Sequence, residues 1–185
     1  MNEKLKDLIL RCEEEINNND WEEAYTIVSN TEKGFLIGDF TWAMISSGID
    51  LTPYIKRIKE IPYRFLAGTP IESFIIPNGV DTVGNEAFRD CISLTSIDIP
   101  NNVTTLRDYV FFDCNKLTSV TIGDGVTTIG GNVFGYCSNL TEITYNGTIE
   151  QWKNIKEDRR WNYRSFIKKI ICSDGDIELS VEGGN

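Results

Sequence analysis

AFRDCISLTSIDIPNNVTTLRDY, residues 87–109, runs directly into VFFDCNKLTSVTIGDGVTTIGGN, residues 110–132, and the two stretches align residue for residue. Working outward at the same 23-residue step, Phe65, Phe88, Phe111 and Phe134 share one phase, and Gly68, Cys91, Cys114 and Cys137 share a second. Ile71, Leu94, Leu117 and Leu140 fall on a third, followed by Phe74, Ile97, Val120 and Ile143, then Ile76, Ile99, Ile122 and Tyr145. Matched apolar phases at a fixed period of this length predict stacked coils, each covering its apolar face with the next.

Within a unit, Leu94, Ile97 and Ile99, or Leu117, Val120 and Ile122, end in the alternation of a strand with one buried face. Pro77, Pro100 and Gly123 stop these strands, and Val80/Val83, Val103/Leu106 and Val126/Ile129 mark a second inward-facing extended segment. The chain then turns through glycine or polar residues back to the aromatic phase. The Ile-Pro-x-x-Val-x-x-[Ile/Leu/Val]-x-x-x-x-Phe-x-x-Cys-x-x-Leu-x-x-Ile pattern that results resembles the BspA-type (Treponema pallidum type) leucine-rich repeats, over about residues 61–172. The match is close in the units ending at Cys91, Cys114 and Cys137 and degrades before Phe65, where Ile61-Pro62-Tyr63-Arg64 is one residue short. The run from Tyr145 to Ile155 is similar to the closing segment found after such repeats. The resemblance implies a curved parallel-sheet solenoid used for protein recognition, often on bacterial or protist surfaces, and no catalytic residues.

The expected fold class is α+β: a short parallel-β leucine-rich-repeat solenoid of 23-residue coils over residues 59–145, preceded by a small all-helical N-terminal domain at 1–58. In that first region Leu5, Leu8, Ile9, Cys12 and Ile16 recur at helical spacing, Asp20 caps a second helix through Tyr25 and Val28, a third carries Phe40, Ala43, Met44 and Ile45, and Thr52-Pro53 opens a short fourth with Ile55 and Ile58. Short helices are marginal in water without packing, so this unit is expected to dock on the first coil. Residues 146–179 read as a C-terminal cap rich in Trp152, Ile155, Trp161 and Ile170, with a further strand between Ile167 and Cys172, and 180–185 as a disordered tail.

Composition narrows function. The net charge of −10 is concentrated in the first two regions, with 7 basic against 12 acidic residues over 1–60 and 4 against 9 over 61–145. That excess repels phosphate backbones and favours a partner protein with a basic surface, such as a nucleic-acid-handling enzyme that the chain would inhibit. No histidine occurs, which removes the usual general base, the commonest metal ligand and the side chain that titrates near neutrality. Three of the five cysteines share one repeat phase and their number is odd, the pattern of buried thiols in a reducing compartment. The charged start and the lack of a long apolar run point to a cytoplasmic protein with no membrane partner. No cofactor, metal or small-molecule substrate is expected.

Each conspicuous motif has a plain structural reading. A row of thiols stacked at about 4.7 Å cannot close a tetrahedral metal site, so the cysteines pack. The phenylalanine ladder is core. Gly123-Asp124-Gly125 and Gly130-Gly131 lack the strand-to-helix setting and the lysine of a phosphate loop and serve as turns. Asn102-Val103-Thr104, Asn139-Leu140-Thr141 and Asn146-Gly147-Thr148 match a glycosylation pattern that the repeat itself generates. Arg159-Arg160-Trp161-Asn162-Tyr163-Arg164 with Lys168-Lys169 mixes basic and aromatic residues as single-strand binders do, yet it matches a capping element in an acidic chain and suits an acidic partner surface better.

What remains for recognition is the outward face of the strands: Thr95, Thr118 and Thr141 in one row, Ser96, Ser119 and Glu142 in a second, Asp98, Thr121 and Thr144 in a third, with Glu72, Ile75 and Tyr145 expected to be exposed beside them. Threonine rows also stabilise a sheet by propensity and pairing alone. The leading expectation is a non-enzymatic protein-interaction module acting through this face and the helical head. The alternative is a surface adhesion or structural repeat protein, and an enzyme would need a carboxylate pair or an unusual lysine or cysteine nucleophile that the spacing does not supply.

Overall fold

The computed structural model describes residues 12, 23, 37–46, 55–158 and 160–179. Two parallel ladders run the length of the coils. One is built from two-residue strands β1 (Glu60–Ile61), β2 (Thr82–Val83), β4 (Thr105–Leu106), β6 (Thr128–Ile129) and β8 (Lys156–Glu157), in that order. The other is built from four-residue strands β3 (Ser96–Ile99), β5 (Ser119–Ile122), β7 (Glu142–Tyr145) and β9 (Lys169–Cys172), all parallel, closed by an antiparallel β10 (Gly175–Glu178). Short strands follow in part from the sequence, because Pro62, Gly84, Pro100, Gly123 and Gly130 stand directly after β1, β2, β3, β5 and β6. Ile97 and Ile99 turn inward while Ser96 and Asp98 face out, the alternation expected of a half-buried strand.

A third side closes each coil by a backbone ladder. The amides of Glu86, Phe88 and Asp90 donate to the carbonyls of Asp108, Val110 and Phe112 on the next coil, at 3.0, 2.9 and 2.8 Å. Two residues per coil, Glu86 and Asp90, then Tyr109 and Asp113, then Asn132 and Tyr136, adopt left-handed backbone near +60°, which bends the segment around the core.

The core is the predicted ladder. Phe88, Phe111 and Phe134 are fully buried and stacked, with ring centroids 5.4 and 5.5 Å apart. The Sγ atoms of Cys91, Cys114 and Cys137 donate to the carbonyls of Leu66, Phe88 and Phe111 at 3.1 to 3.2 Å, so each thiol ties its coil to the one before. Burial pushes Cys91 and Cys137 up to about 12, and Cys114 well above its ordinary value.

The first coil is offset from the predicted register. Leu66 N donates to Ala87 O as Phe88 N donates to Val110 O, and Thr69 Oγ1 lies 3.8 Å from Cys91 Sγ. Leu66 and Thr69, not Phe65 and Gly68, therefore occupy the aromatic and cysteine positions of this coil. The physical reason is a missing residue: Thr69-Pro70-Ile71 spans what Cys91-Ile92-Ser93-Leu94 spans later, and Ile61 pairs with Val83 only 22 residues on. Phe74 fills the ring position against Phe88, with centroids 5.2 Å apart, and Phe65 packs edge-on to Phe74 at 6.2 Å.

The C-terminal region continues both sheets. Helix α2 (Ile149–Lys153) is inserted between β7 and β8, so Thr128 pairs with Lys156, 28 residues on, in the same parallel sense. Its start is fixed by a capping box: Thr148 Oγ1 accepts from Gln151 N, and Gln151 Oε1 accepts from Thr148 N. Trp161 closes the ring column edge-on to Phe134 at 6.1 Å, backed by Trp152 at 6.0 Å.

At the other end, helix α1 (Ile37–Ser46) lies on the first coil. A Cβ at Gly38 would sit 2.1 Å from Ala67 O, an approach only glycine permits, and Thr41 and Ala43 are buried. Cys12, Ala43, Trp42, Ile55 and Ile58 join the same apolar cluster as the solenoid core. Of the all-helical domain expected over 1–58, α1 is the third predicted helix; the first two, most of the fourth, and the tail at 180–185 lie outside the described residues. Among the described residues no helix is long and apolar enough to cross a membrane.

Candidate functional site

The four-residue strands present a continuous outer face, because parallel pairing without bulges places each x position beside its equivalent in the next coil. Ser96 pairs with Ser119, Asp98 with Thr121, Thr121 with Thr144, and Glu142 with Lys169. Thr95, Ser96, Asp98, Thr118, Ser119, Thr141, Glu142 and Thr144 are exposed, as are Glu72 and Ile75, and Thr121 is half-buried. Ile75 is 87% exposed and stands in the Asp98 row, one coil earlier. Of the eleven residues expected on this face, Ser96, Asp98, Ser119, Thr121, Glu142 and Thr144 lie on the outward positions of β3, β5 and β7, Thr95, Thr118 and Thr141 immediately precede these strands, and Glu72 and Ile75 stand at the equivalent positions of the coil before β3.

Two of the threonines are occupied by their own fold. Thr118 Oγ1 donates to Thr95 O at 3.2 Å and Thr95 Oγ1 to Glu72 O at 3.3 Å, each doubling a backbone hydrogen bond to the same carbonyl. The carboxylates differ: among the described residues, Glu72, Asp98 and Glu142 have no cation within ion-pair distance. The middle of the face therefore carries uncompensated negative charge on a rigid sheet.

Tyr145, expected to be exposed beside this face, is instead buried on the inward side of β7 against Trp152, and the face continues past it. Lys168 N donates to Thr141 O, Lys169 follows Glu142 in its row, and Ile171 follows Thr144. Lys169 Nζ is held by Asp176 Oδ2 and Glu178 Oε1, both at 3.3 Å, and these two carboxylates raise its pKa. The strand expected between Ile167 and Cys172 forms, with Ile167-x-x-Ile170-x-Cys172 repeating the spacing of Leu140, Ile143 and Tyr145; what the 23-residue step does not reveal is that it joins the outward face, because the α2 insertion displaces it.

Cys91, Cys114 and Cys137 are buried free thiols, and among the described residues no group of cysteine, aspartate and glutamate is arranged to hold a metal ion. Asn102 and Asn139, from two of the glycosylation-like tripeptides, donate their amides to the carbonyls of Val80 and Asn115. The second sheet carries a structural ion pair, Arg107 Nε and Nη2 to Glu60 at 3.1 and 3.3 Å, spanning two coils.

Three solved structures are similar in part. A leucine rich cell surface protein from Faecalibacterium prausnitzii A2-165 is 28% identical, with a TM-score of 0.44, over 55% of this chain and 33% of that one. A leucine-rich repeat protein from Bacteroides ovatus ATCC 8483 is 19% identical, with a TM-score of 0.39, over 63% of this chain and 41% of that one. One from Eubacterium ventriosum ATCC 27560 is 17% identical, with a TM-score of 0.40, over 69% of this chain and 50% of that one. The chain spans from a third to a half of the length of these proteins. No curated protein matches it. The model of the BspA type leucine rich repeat region matches residues 59–159 in 6 copies, the same segment whose coils share a thiol and ring ladder. With more than half of its residues in that match, the chain belongs to the BspA-type leucine-rich-repeat family.

Proposed function

We propose that this chain is a non-catalytic protein-interaction module whose outward strand face docks a partner with a basic surface, as an inhibitor of a nucleic-acid-handling enzyme would. The observation that carries the reading is the row structure of that face: Glu72, Asp98 and Glu142 are exposed without cation partners, and Ile75 projects beside them. Negative groups fixed on a sheet steer a basic partner and lose little freedom on docking, while an exposed isoleucine supplies apolar area that water would otherwise cover. A net charge of −10 adds long-range attraction of the same sign. A cytoplasmic setting, as expected from the sequence, belongs to this proposal.

The test compares affinity capture from host lysate by the wild-type chain and by a Glu72→Lys/Asp98→Lys/Glu142→Lys variant. Proteins lost from the variant should be basic, and their capture should weaken as salt rises. Partners lost from the variant that are mainly acidic, or capture that salt leaves unchanged, would refute the reading.

A further inference from the structure

The basic and aromatic segment at 160–169 is divided by the fold. Trp161 is buried in the core, Lys169 is neutralised by Asp176 and Glu178, and Arg160, Arg164 and Lys168 are exposed. Arg164 holds left-handed backbone at φ 54°, the place taken by Tyr136 in the preceding coil, which throws its side chain onto the third side of the solenoid. There its guanidinium lies 5.6 Å from the centre of the Tyr136 ring and 5.4 Å from that of Tyr163, and Nη1 donates to Tyr136 Oη at 3.1 Å.

These rings belong to a longer strip. Tyr163 packs on Tyr136 at 5.9 Å, Tyr136 on Phe112 at 5.1 Å, and Phe112 on Tyr109 at 5.4 Å, each pair edge to face. Arg89 covers Phe112 at 5.0 Å at the far end, but Glu86 and Asp90 bind it at 3.4 and 3.3 Å. Arg164 has no such partner: among the described residues no carboxylate lies within ion-pair distance of it, of Arg160 or of Lys168. One end of the strip is therefore a cation with no carboxylate in ion-pair distance among the described residues, and the remainder is half-exposed aromatic surface, with Asp113 standing in the Tyr136 row one coil earlier.

We propose that this strip is a second docking surface, for an acidic segment of a partner protein, with a carboxylate on the outer edge of Arg164 and apolar side chains along Tyr136, Phe112 and Tyr109. Contact with two tyrosines holds the guanidinium in place, and its five N–H donors outnumber the hydroxyls that engage it, so this exposed side chain keeps donors for a carboxylate at little loss of freedom. Tyrosine and arginine are also the side chains that most often dominate binding energy at interfaces. A single nucleic-acid strand fits less well, because base stacking needs open ring faces and Arg164 covers those of Tyr136 and Tyr163. The charge sought here is opposite to that sought by the strand face, so the two surfaces would hold different partners.

The experiment is fluorescence anisotropy of the full chain with a labelled eight-residue peptide alternating glutamate and tyrosine, a lysine–tyrosine peptide of equal length, and a labelled oligo-dT strand. Saturable binding of the acidic peptide is expected, weakened about tenfold by Arg164→Gln, which corresponds to one ionic hydrogen-bonded contact. Arg164→Lys keeps the charge but not the planar fork and should fall between the two. The strand-face triple variant should bind the peptide as the wild type does, which separates this site from the one proposed above. Absence of saturable binding, equal binding by Arg164→Gln, loss in the strand-face variant, or tighter binding of either the lysine–tyrosine peptide or oligo-dT would each overturn the assignment.

Discussion

The rings of Phe111 and Phe134 lie 5.5 Å apart and within 7° of parallel, each contributed by the same position of its coil. Both are fully buried, so neither owes its place to local structure; each is held by the coil above and below. Each has a ring on either side: Phe88 and Phe134 flank Phe111 in parallel, and Phe134 lies between Phe111 and the edge of Trp161. Phe111→Ala should cost about 3–5 kcal/mol, and Phe111→Leu clearly less, because leucine refills most of the cavity. Urea unfolding followed by tryptophan fluorescence and circular dichroism measures both. A loss below about 1 kcal/mol for alanine would mean that coils are stable without their neighbours.

The thiol ladder makes the fold sensitive to alkali. Cys91 and Cys137 are raised from an ordinary 9.0 to about 12 by burial, and Cys114 is raised well above its ordinary value by burial and its two neighbouring thiols. The folded chain thus keeps these protons where the unfolded chain gives them up. Stability is full below pH 9 and falls as pH rises toward 12, by up to about 1.4 kcal/mol per pH unit for each thiol. Cys91→Ala/Cys114→Ala/Cys137→Ala should flatten this slope while lowering stability at pH 7. An unfolding midpoint in urea that does not move between pH 8.5 and pH 10.5 would contradict the ladder.

The repeating part of this architecture was legible because residue type and position were under the same constraint: Ile97, Ile99, Val120 and Ile122 are buried wherever the alternation predicted it. The first coil was misread by one residue because Phe65 and Leu66 are adjacent and both apolar, so side-chain type alone could not choose between them. The choice is made by the shortened Thr69-Pro70-Ile71 turn and by Phe74, which takes the ring position from the strand side. At the other end, the capped helix at Ile149–Lys153 shifts the period, so a 23-residue step does not carry the strand face onto Lys168 and Lys169. The aromatic strip escaped notice because its members come from different phases, Phe112 beside Tyr136, and only the left-handed turns bring them together.

Turn chemistry sets a separate limit. A Cβ at Gly125 would lie 1.8 Å from Asn101 O, a backbone atom of the preceding coil with little room to retreat. Gly125→Ala should therefore force the coils apart at this corner and cost on the order of 1–3 kcal/mol, as overpacking does. Thermal unfolding monitored by circular dichroism provides the measurement. A variant as stable as the wild type would show that the glycine is there for the turn alone and that the corner has slack.

Thr118 decides whether the threonine row serves the fold or the partner. Its hydroxyl donates to Thr95 O at 3.2 Å, but that carbonyl already accepts Thr118 N at 3.0 Å, so removing the hydroxyl orphans no buried group. Valine keeps the branched shape that suits a strand. Thr118→Val is therefore expected to change stability by less than about 1 kcal/mol. If the same substitution leaves partner capture intact while Asp98→Lys abolishes it, recognition rests on the carboxylates and the threonines only support the sheet. A loss of several kcal/mol in Thr118→Val would instead make the row a structural seam, and the face available for docking would shrink to Glu72, Ile75, Asp98 and Glu142.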